Sequence, residues 1–234
     1  MKIKATIGAM FSLLLVGCDL EKEPERYSPI LTNFATQHNF DSLRGNIKSF
    51  NQKLVKDDGE LLSEVSGVLS KNGCVQSLKA NILFFELHED FMIEGDYLVD
   101  VESKQKIANV NKECRLVDTE VSKYEYNKDG LISKVTTFDQ GYEYIDFYQY
   151  DDDGLPAKID SVNPKSTRMF SRSENKKKSF DQTLHSVSED KTSDTVEKKC
   201  VYDDHYNPVK CDIVVTEANG EIKKFNMIYK TEYY

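Results

Sequence analysis

The chain has 234 residues, a formal net charge of −9 at pH 7 and a mean hydropathy of −0.57. This acidic balance argues against nucleic acid as a partner and against broad adhesion to anionic lipid, because both carry negative charge. The 13 Tyr, 12 Phe and absence of Trp suit strands better than helices. The length is enough for one sizeable domain or two small ones.

The chain begins with a segment that has the form of an export signal. Lys2 and Lys4 precede a short apolar run that ends in Gly17 and Cys18. The run is too short for a transmembrane helix, which needs ~20 apolar residues. LVGC resembles the bacterial lipobox, so we expect residues 1–17 to be removed as a lipoprotein signal peptide. Cys18 would then carry N-palmitoyl and S-diacylglycerol groups and anchor the chain; the alternative is an ordinary signal peptide with a cysteine near the cut.

Asp19 follows the expected anchor and bears on the choice of membrane. In enterobacteria an aspartate at this position resembles the signal that retains a lipoprotein in the inner membrane. We therefore expect a lipid-anchored protein of the inner membrane that faces the periplasm. Residues 18–37 are polar, with Pro24 and Pro29, and predict a lipidated N-terminus and a flexible tether. Residues 38–234 are expected to form one antiparallel β domain.

One pattern recurs through the rest of the chain. It is an alternating strand, a turn rich in Asp and Asn, and a second alternating strand, as in KYEYNKDGLISKVTTF (123–138) and FYQYDDDGLPAKIDSV (147–162). Glycine or asparagine takes the positive φ of such turns, and the flanking Asp or Asn caps them through its side chain. Further hairpin signals lie at 48–65, 68–75, 200–215 and 215–225.

Six hairpin signals predict a mostly β fold with few short helices. We expect a single curved antiparallel sheet in which consecutive hairpins form a meander. The repeated skeleton resembles the YD-type hairpin repeats of bacterial surface proteins, a likeness that concerns the fold and not the function. Residues 82–92 suit a short helix or a strand equally well. The very polar residues 171–199 predict a long loop or an irregular edge hairpin.

An even number of cysteines follows the expected anchor: Cys74, Cys114, Cys200 and Cys211. In an exported chain this count predicts two disulfides, with three connectivities open. Pairing about the turn of CVYDDHYNPVKC places Cys200 opposite Cys211, within reach of a disulfide. Cys74–Cys114 then remains and closes the longer loop. A zinc site is the rival, but the sequence has no C-x-x-C or H-x₃₋₅-H spacing.

Four separate pieces together resemble one family: FDSLRGNIKSFNQKL (40–54), SGVLSKNGCVQSL (66–78), CVYDDHYNPVKCDIVV (200–215) and the terminal EYY (232–234). They are similar to the enterobacterial YnfC lipoprotein family, which is functionally uncharacterised. The likeness runs nearly end to end, and the five cysteines fall where that family would have them. It implies the lipid anchor at Cys18 and a single domain, and it transfers no catalytic residue.

No catalytic or metal-binding motif stands out. The four histidines are far apart, and ELHED (86–90) is not the H-E-x-x-H of a zinc protease. The serine-hydrolase elbow, the P-loop and the dinucleotide fingerprint are all missing. DDDG (151–154) is a hairpin turn rather than a calcium loop. NKKKS (175–179) is either a solvated loop or a contact for anionic headgroups, and the tyrosines either cover a sheet face or stack a ligand.

These features favour a binding or interaction module that is held on the membrane by its lipid and uses no catalysis, cofactor or metal. Its expected partner is an envelope protein, a peptide or a glycan, and not nucleic acid. One alternative is a purely structural or stress-related lipoprotein. A less favoured one is an envelope hydrolase with an unrecognised carboxylate or histidine pair.

Overall fold

A computed structural model describes residues 23–83, 86–190 and 192–234 of the chain. The expected signal peptide (1–17), the acylated Cys18 and Asp19 lie outside the described residues. No helix within these ranges combines the length and the apolar character that crossing a membrane requires.

Antiparallel strands make up most of the described chain. One α-helix, α1 (Pro29–Gln37), precedes them, and a 3₁₀ turn lies at Lys176–Lys178. The strands are β1 Ile47–Lys56, β2 Leu61–Leu69, β3 Val75–Ile82, β4 Leu87–Glu94, β5 Tyr97–Asp100, β6 Lys106–Val110, β7 Leu116–Thr119, β8 Ser122–Tyr126, β9 Ile132–Asp139, β10 Tyr142–Tyr150, β11 Pro156–Val162, β12 Lys165–Arg172, β13 Gln182–Ser188, β14 Ser193–Tyr202, β15 Pro208–Thr216 and β16 Ile222–Tyr233.

The strands close into a barrel. Each pairs with its neighbours in sequence, as the meander of hairpins predicts, and β1 also pairs with β16. That last ladder runs from Ile47 opposite Tyr233 to Lys56 opposite Phe225. The predicted mostly β meander is confirmed, whereas the open curved sheet is wrong. Adjacent strands twist relative to one another, and over this many strands the two edges meet and satisfy each other's backbone groups.

The hairpin turns lie at two opposite ends of the barrel. End A carries the turns at 70–74, 95–96, 111–115, 127–131, 151–155, 173–181 and 203–207. End B carries the others, among them 57–60, 101–105, 140–141 and 217–221. This division follows from the strand order, because successive strands run in opposite directions.

Four turns at end A share one hydrogen-bond pattern, which explains the repeat seen in the sequence. In each, the first side chain accepts hydrogen bonds from the backbone N–H groups two and four residues later. These side chains are Asn111, Asn127, Asp151 and Asp203. The sequence predicted this capping at Asn127, Asp151 and Asp203, whereas the turn at Asn111 was not among the predicted hairpins.

Both disulfides lie at end A and have the connectivity predicted from the sequence. Cys200 faces Cys211 across the β14–β15 ladder, with their Cα atoms 4.0 Å apart. Cys74 and Cys114 join the β2–β3 turn to the β6–β7 turn, with a Cα–Cα distance of 5.6 Å. The end of the barrel where the N-terminal segment enters is thus the cross-linked one.

The N-terminal segment fills the interior of the barrel, so the expected tether through residue 37 is wrong for its second half. Leu31 and Phe34 of α1 are 1% and 0% exposed, and they pack in one cluster with residues of β1 to β7. The other side of the segment faces β11, β12 and β13. Because the N-terminal segment faces strands on all sides of the barrel, it lies inside the barrel.

Buried polar residues explain why the sequence of this segment predicts a solvent-exposed tether. The side-chain amide of Asn33 donates to the carbonyl of Gly130 at 2.9 Å and accepts from the N–H of Ile132 at 2.9 Å. Thr32, also buried, shares a hydrogen bond with Ser42. Polar groups that the barrel wall satisfies in this way are compatible with burial, but their partners are distant in sequence.

Residues 171–199 are regular rather than looped. They contain the end of β12, the 3₁₀ turn, all of β13 and most of β14, and the closed barrel leaves them no edge. Their inward positions include Leu184 opposite Val196. Their outer face is mostly polar but also carries Val187, so the sequence shows no clean alternation. Within residues 82–92, the described part beyond Leu83 is strand β4.

Candidate functional site: a cavity inside the barrel

The N-terminal segment leaves a cavity of about 270 Å³ against the wall formed by β11, β12 and β13. One part of its lining is apolar: Ala35, Phe40, Leu155, Pro156, Ile159, Phe170, Phe180 and Leu184. The other part is polar: Thr32, Thr36, Asn39, Asp41, Ser42, Arg168, Arg172 and Gln182. An apolar enclosure with a few polar groups is the usual make-up of a small-molecule site.

Strand register places this lining. On β12 the alternation of KSTRMFSR sends Arg168, Phe170 and Arg172 to the same face. Arg168 stands opposite Ile159 on β11, and Arg172 stands opposite Gln182 on β13. Because directly opposed residues share a face of the sheet, these side chains form one continuous wall.

Arg172 is held by a carboxylate. Its Nη1 donates to Asp151 at 3.0 Å, and the side chain is only 12% exposed. Burial lowers the pKa of the Arg172 guanidinium, and Asp151 opposes that effect. A guanidinium remains charged even so. The Nε–H of Arg172 is buried and, within the described chain, has no hydrogen-bond partner.

Asp41 is the carboxylate that lines the cavity, and its charge is already matched. One oxygen accepts hydrogen bonds from Lys198 Nζ and from the hydroxyl of Tyr229. Burial raises the pKa of Tyr229 well above its usual range, with the Asp41 charge as the second cause. Gln52 bonds both backbone groups of Asp41, at 2.8 Å and 2.7 Å, and so fixes its position.

Arg168 differs from the other cations around the cavity. No carboxylate among the described residues lies within ion-pair distance of its guanidinium. The side-chain oxygen of Gln182 is also buried without a hydrogen-bond partner in the described part of the chain. An unsatisfied buried polar atom costs about 1–3 kcal/mol. The cavity therefore presents a guanidinium without an ion pair beside apolar side chains.

A buried network closes the interior at end A. Arg44 is 2% exposed and donates to Asp153 at 3.0 Å, to the hydroxyl of Ser179 at 2.8 Å and to the carbonyl of Lys176 at 2.7 Å. Its guanidinium also lies 4.3 Å from the ring centroid of Tyr27, whose pKa burial raises to about 12. This packing closes the cavity on the side of the N-terminal entry.

The histidines do not come together. His38 is the one inside the barrel, where its Nδ1 lies 2.9 Å from a carboxylate oxygen of Glu89 and its ring lies 4.8 Å from that of Phe91. His205 stacks on Tyr233 at end A, with a centroid distance of 3.8 Å. The His38–Glu89 pair does not line the cavity. The described residues contain no group of three His, Cys, Asp or Glu side chains that is placed to hold a metal ion.

Strand tyrosines cover the inner face of the barrel. Tyr126 donates to the carbonyl of Leu116, and Tyr150 donates to the carbonyl of Ile132 at 2.7 Å. Sequence reasoning considered these tyrosines and missed the arginines. The signal that it passed over was the pair of arginines four residues apart on β12, on the same face as Phe170.

The fold and the cavity define a class of protein: a closed antiparallel β-barrel whose own N-terminal segment fills it and leaves an internal pocket. The whole chain, residues 1–234, matches the family model described as uncharacterised protein family UPF0257, and the chain belongs to that family. Over 220 residues it is 28% identical to the UPF0257 lipoprotein YnfC of Salmonella typhi, and the match covers 92% of each chain. The YnfC protein of Salmonella typhimurium is 27% identical with the same coverage.

These names support a lipoprotein and confirm the family resemblance drawn from the sequence. Among solved structures, the chain is similar to a porin-like protein from Bacteroides uniformis, with a TM-score of 0.46 and 12% identity. That alignment covers 80% of this chain and 98% of the other.

Proposed function

We propose that the protein is a lipid-anchored binding protein of the cell envelope, and that the cavity inside its barrel is the binding site. The observation that carries this is the lining, where the guanidinium of Arg168 forms no ion pair with the described residues and stands opposite apolar Ile159. A ligand that pairs with this guanidinium and covers the apolar side chains would stabilise the folded protein. The proposal assigns the protein no catalytic step.

The size of the cavity narrows the partners expected from the sequence. A volume of about 270 Å³ lies just below the ~300–1,000 Å³ of drug-sized pockets. It admits a small molecule or the tail of a larger one, and it excludes a folded protein or a glycan chain. A small ligand is therefore the partner that this site supports.

The position of the N-terminal segment gives the molecule an orientation on the membrane. The N–H of Tyr27 donates to the carbonyl of Asp153 in a turn of end A, at 3.1 Å. Cys18 precedes Glu23 by five residues, and a fully extended chain of that length reaches at most about 18 Å. With the lipid on Cys18, end A faces the bilayer and end B faces the periplasm.

The distribution of charge supports the same orientation. Turns at both ends carry carboxylates, such as Asp57 and Asp58 at end B and Asp152 and Asp204 at end A. The basic residues of the described turns are concentrated at end A: Lys71, Lys112, Arg115, Lys128 and the lysine cluster at 176–178. An anionic leaflet attracts these cations, so end A is the end that it repels less. Asp19 favours the inner membrane as the site of anchoring, as the sequence predicts.

The proposal is tested by looking for a small molecule that co-purifies with the lipidated protein. Wild-type protein is extracted from membranes in mild detergent, and its bound small molecules are identified by mass spectrometry. The Ala35→Leu variant fills part of the cavity, because Ala35 lines it and is 4% exposed. The matched control is Ala218→Leu, at an exposed turn of end B.

We expect a molecule that is enriched in wild type and in Ala218→Leu and depleted in Ala35→Leu. Melting curves confirm that the cavity variant is folded. Equal recovery from all three proteins would contradict the proposal and favour the purely structural role.

A further inference from the structure

We infer that the ligand of this cavity is a small carboxylic acid with an apolar chain, bound through its carboxylate to Arg168. The inference rests on the proposed function and names the chemical class that the site selects.

The balance of charge around the cavity carries the argument. Arg168 and Arg172 both line the cavity. Asp151 binds Arg172 at 3.0 Å, whereas Arg168 forms no ion pair with the described residues. Asp146 and Arg168 both act on the phenol of Tyr148, but Asp146 does not pair with the guanidinium. A half-buried guanidinium without a carboxylate partner favours an anionic ligand.

The geometry of the donors selects the kind of anion. A guanidinium presents its N–H groups in a planar fork that matches the two oxygens of a carboxylate. Arg168 lies in the lining four residues before Arg172, whose guanidinium is already held by Asp151. A headgroup that only accepts hydrogen bonds suits Arg168, whereas an ammonium or other cationic group does not.

The other residues of the cavity wall favour a ligand with an apolar chain. Ile159 lies opposite Arg168, and Phe170 lies opposite Leu184, so aliphatic and aromatic surface begins directly beside the guanidinium. Burial of a methylene group in such surroundings is worth about 0.8 kcal/mol. At ~30 Å³ for each water-sized group, a cavity of about 270 Å³ holds a chain of medium length. Octanoate is the probe that matches both the charge and the volume.

Isothermal titration tests the inference with three probes that share one chain: octanoate, octanol and octylamine. The mature chain from residue 19 onward is exported behind a signal peptide of the non-lipoprotein type, so that it is oxidised and needs no detergent. We expect octanoate to bind at least tenfold more tightly than octanol, and octylamine to show no binding. If Arg168 alone causes this order, Arg168→Met lowers the affinity for octanoate to that for octanol. The affinity for octanol is then unchanged.

Two further variants complete the test. Arg168→Lys keeps the charge and retains part of the preference for octanoate. Lys158→Met, on the adjacent strand, removes a cation that pairs with Asp160 and does not line the cavity; it leaves all three affinities unchanged.

The outcomes separate this inference from the proposed function. Equal binding of octanoate and octanol would overturn the carboxylate assignment and leave the cavity as a neutral apolar site. Failure of all three probes to bind would overturn the inference, while the co-purification experiment still tests the cavity for other ligands. If Arg168→Met does not fold, the order of the three affinities in the protein with native Arg168 still supports or overturns the carboxylate assignment.

Discussion

Arg168 and Arg172 show how one strand can bear two arginines in different roles. Arg172 is buried and forms an ion pair with Asp151, which itself caps the turn at 151–155. Its role is explained by the fold, because a buried charge needs a partner. Arg168 lies four residues away in the same lining and has no such partner in the described chain, and the proposed carboxylate ligand would supply one.

Gln182 offers a test of the site at the level of a single residue. Its buried side-chain oxygen lacks a partner in the described part of the chain, so replacing Gln182 by Leu removes an unsatisfied acceptor. We expect Gln182→Leu to raise the free energy of unfolding of the ligand-free protein by about 1 kcal/mol. Urea denaturation with disulfides intact measures this.

Thr183→Val is the matched control for Gln182→Leu. Thr183 is the next residue of β13 and lies on the other face of the sheet. We expect a change within about 0.5 kcal/mol for it. A loss of stability in Gln182→Leu would show that this side chain is satisfied in the empty protein.

At the scale of elements, the hairpins depend on short-range chemistry and the barrel on long-range pairing. The turn at 127–131 forms through bonds from Asn127 to residues two and four positions later. By contrast, α1 is held by Asn33 bonding to Gly130, a sequence separation of 97 residues. Local patterns predict elements of the first kind and are silent on the second.

The two disulfides are expected to stabilise the barrel unequally. Their loops span 11 and 40 residues, and the chain-entropy model gives about 3 and about 4 kcal/mol for closing them. We therefore expect replacement of Cys74 and Cys114 by Ser to cost about 1 kcal/mol more than the same change at Cys200 and Cys211. Denaturation of the two double variants measures the difference. The opposite order would mean that native contacts outweigh loop entropy.

Inward-facing tyrosines on β8 and β10 predict a loss of stability at high pH. Burial raises the pKa of Tyr124 to about 12, with Glu89 as a second cause, and raises that of Tyr148 to about 12. An unfolded chain loses these protons near pH 10. The folded state keeps them longer, so stability is unchanged below pH ~10 and falls as the pH rises from there towards 12.

Tyr124→Phe removes one such proton and is expected to make the fall with pH shallower. Free energies of unfolding at pH 9, 10 and 11 give the two slopes. Tyr142→Phe, at a 64% exposed position, is the control that keeps the wild-type slope. Identical slopes for wild type and Tyr124→Phe would contradict a buried phenol at this position.

At the scale of the whole molecule, the barrel is closed and its two ends differ in their cross-links. A closed barrel leaves β1 and β16 paired with each other rather than open to other chains. Both disulfides, the backbone bond of Tyr27 to Asp153 and the four turns capped by Asn111, Asn127, Asp151 and Asp203 lie at end A. In the proposed orientation, the lipid therefore attaches where the barrel is most cross-linked.

The orientation predicts which amides lie near lipid headgroups. In nanodiscs that contain a lipid with a nitroxide headgroup, amide signals from end A, such as Asn127 and Lys177, are expected to broaden. Signals from Gln140 and Gly220 at end B are expected to stay sharp. The chain from residue 19 onward, which has neither signal segment nor lipid, is mixed with the same nanodiscs as the control and should show neither effect. Broadening at end B in the lipidated protein would reverse the proposed orientation.

The sequence by itself determined the mostly β meander, the six hairpins that it signalled, the cysteine pairing and the family resemblance. Each depends on residues close together in the chain or on a motif such as LVGC. Alternating strands and turn residues can be recognised from such local patterns. Only the tertiary structure decided that the sheet closes, that residues 29–37 fill it, and that Arg168 faces a cavity. These depend on contacts such as Arg44 with Asn207, separated by 163 residues. Polar side chains that look solvated in the sequence are buried because distant parts of the barrel wall supply their partners.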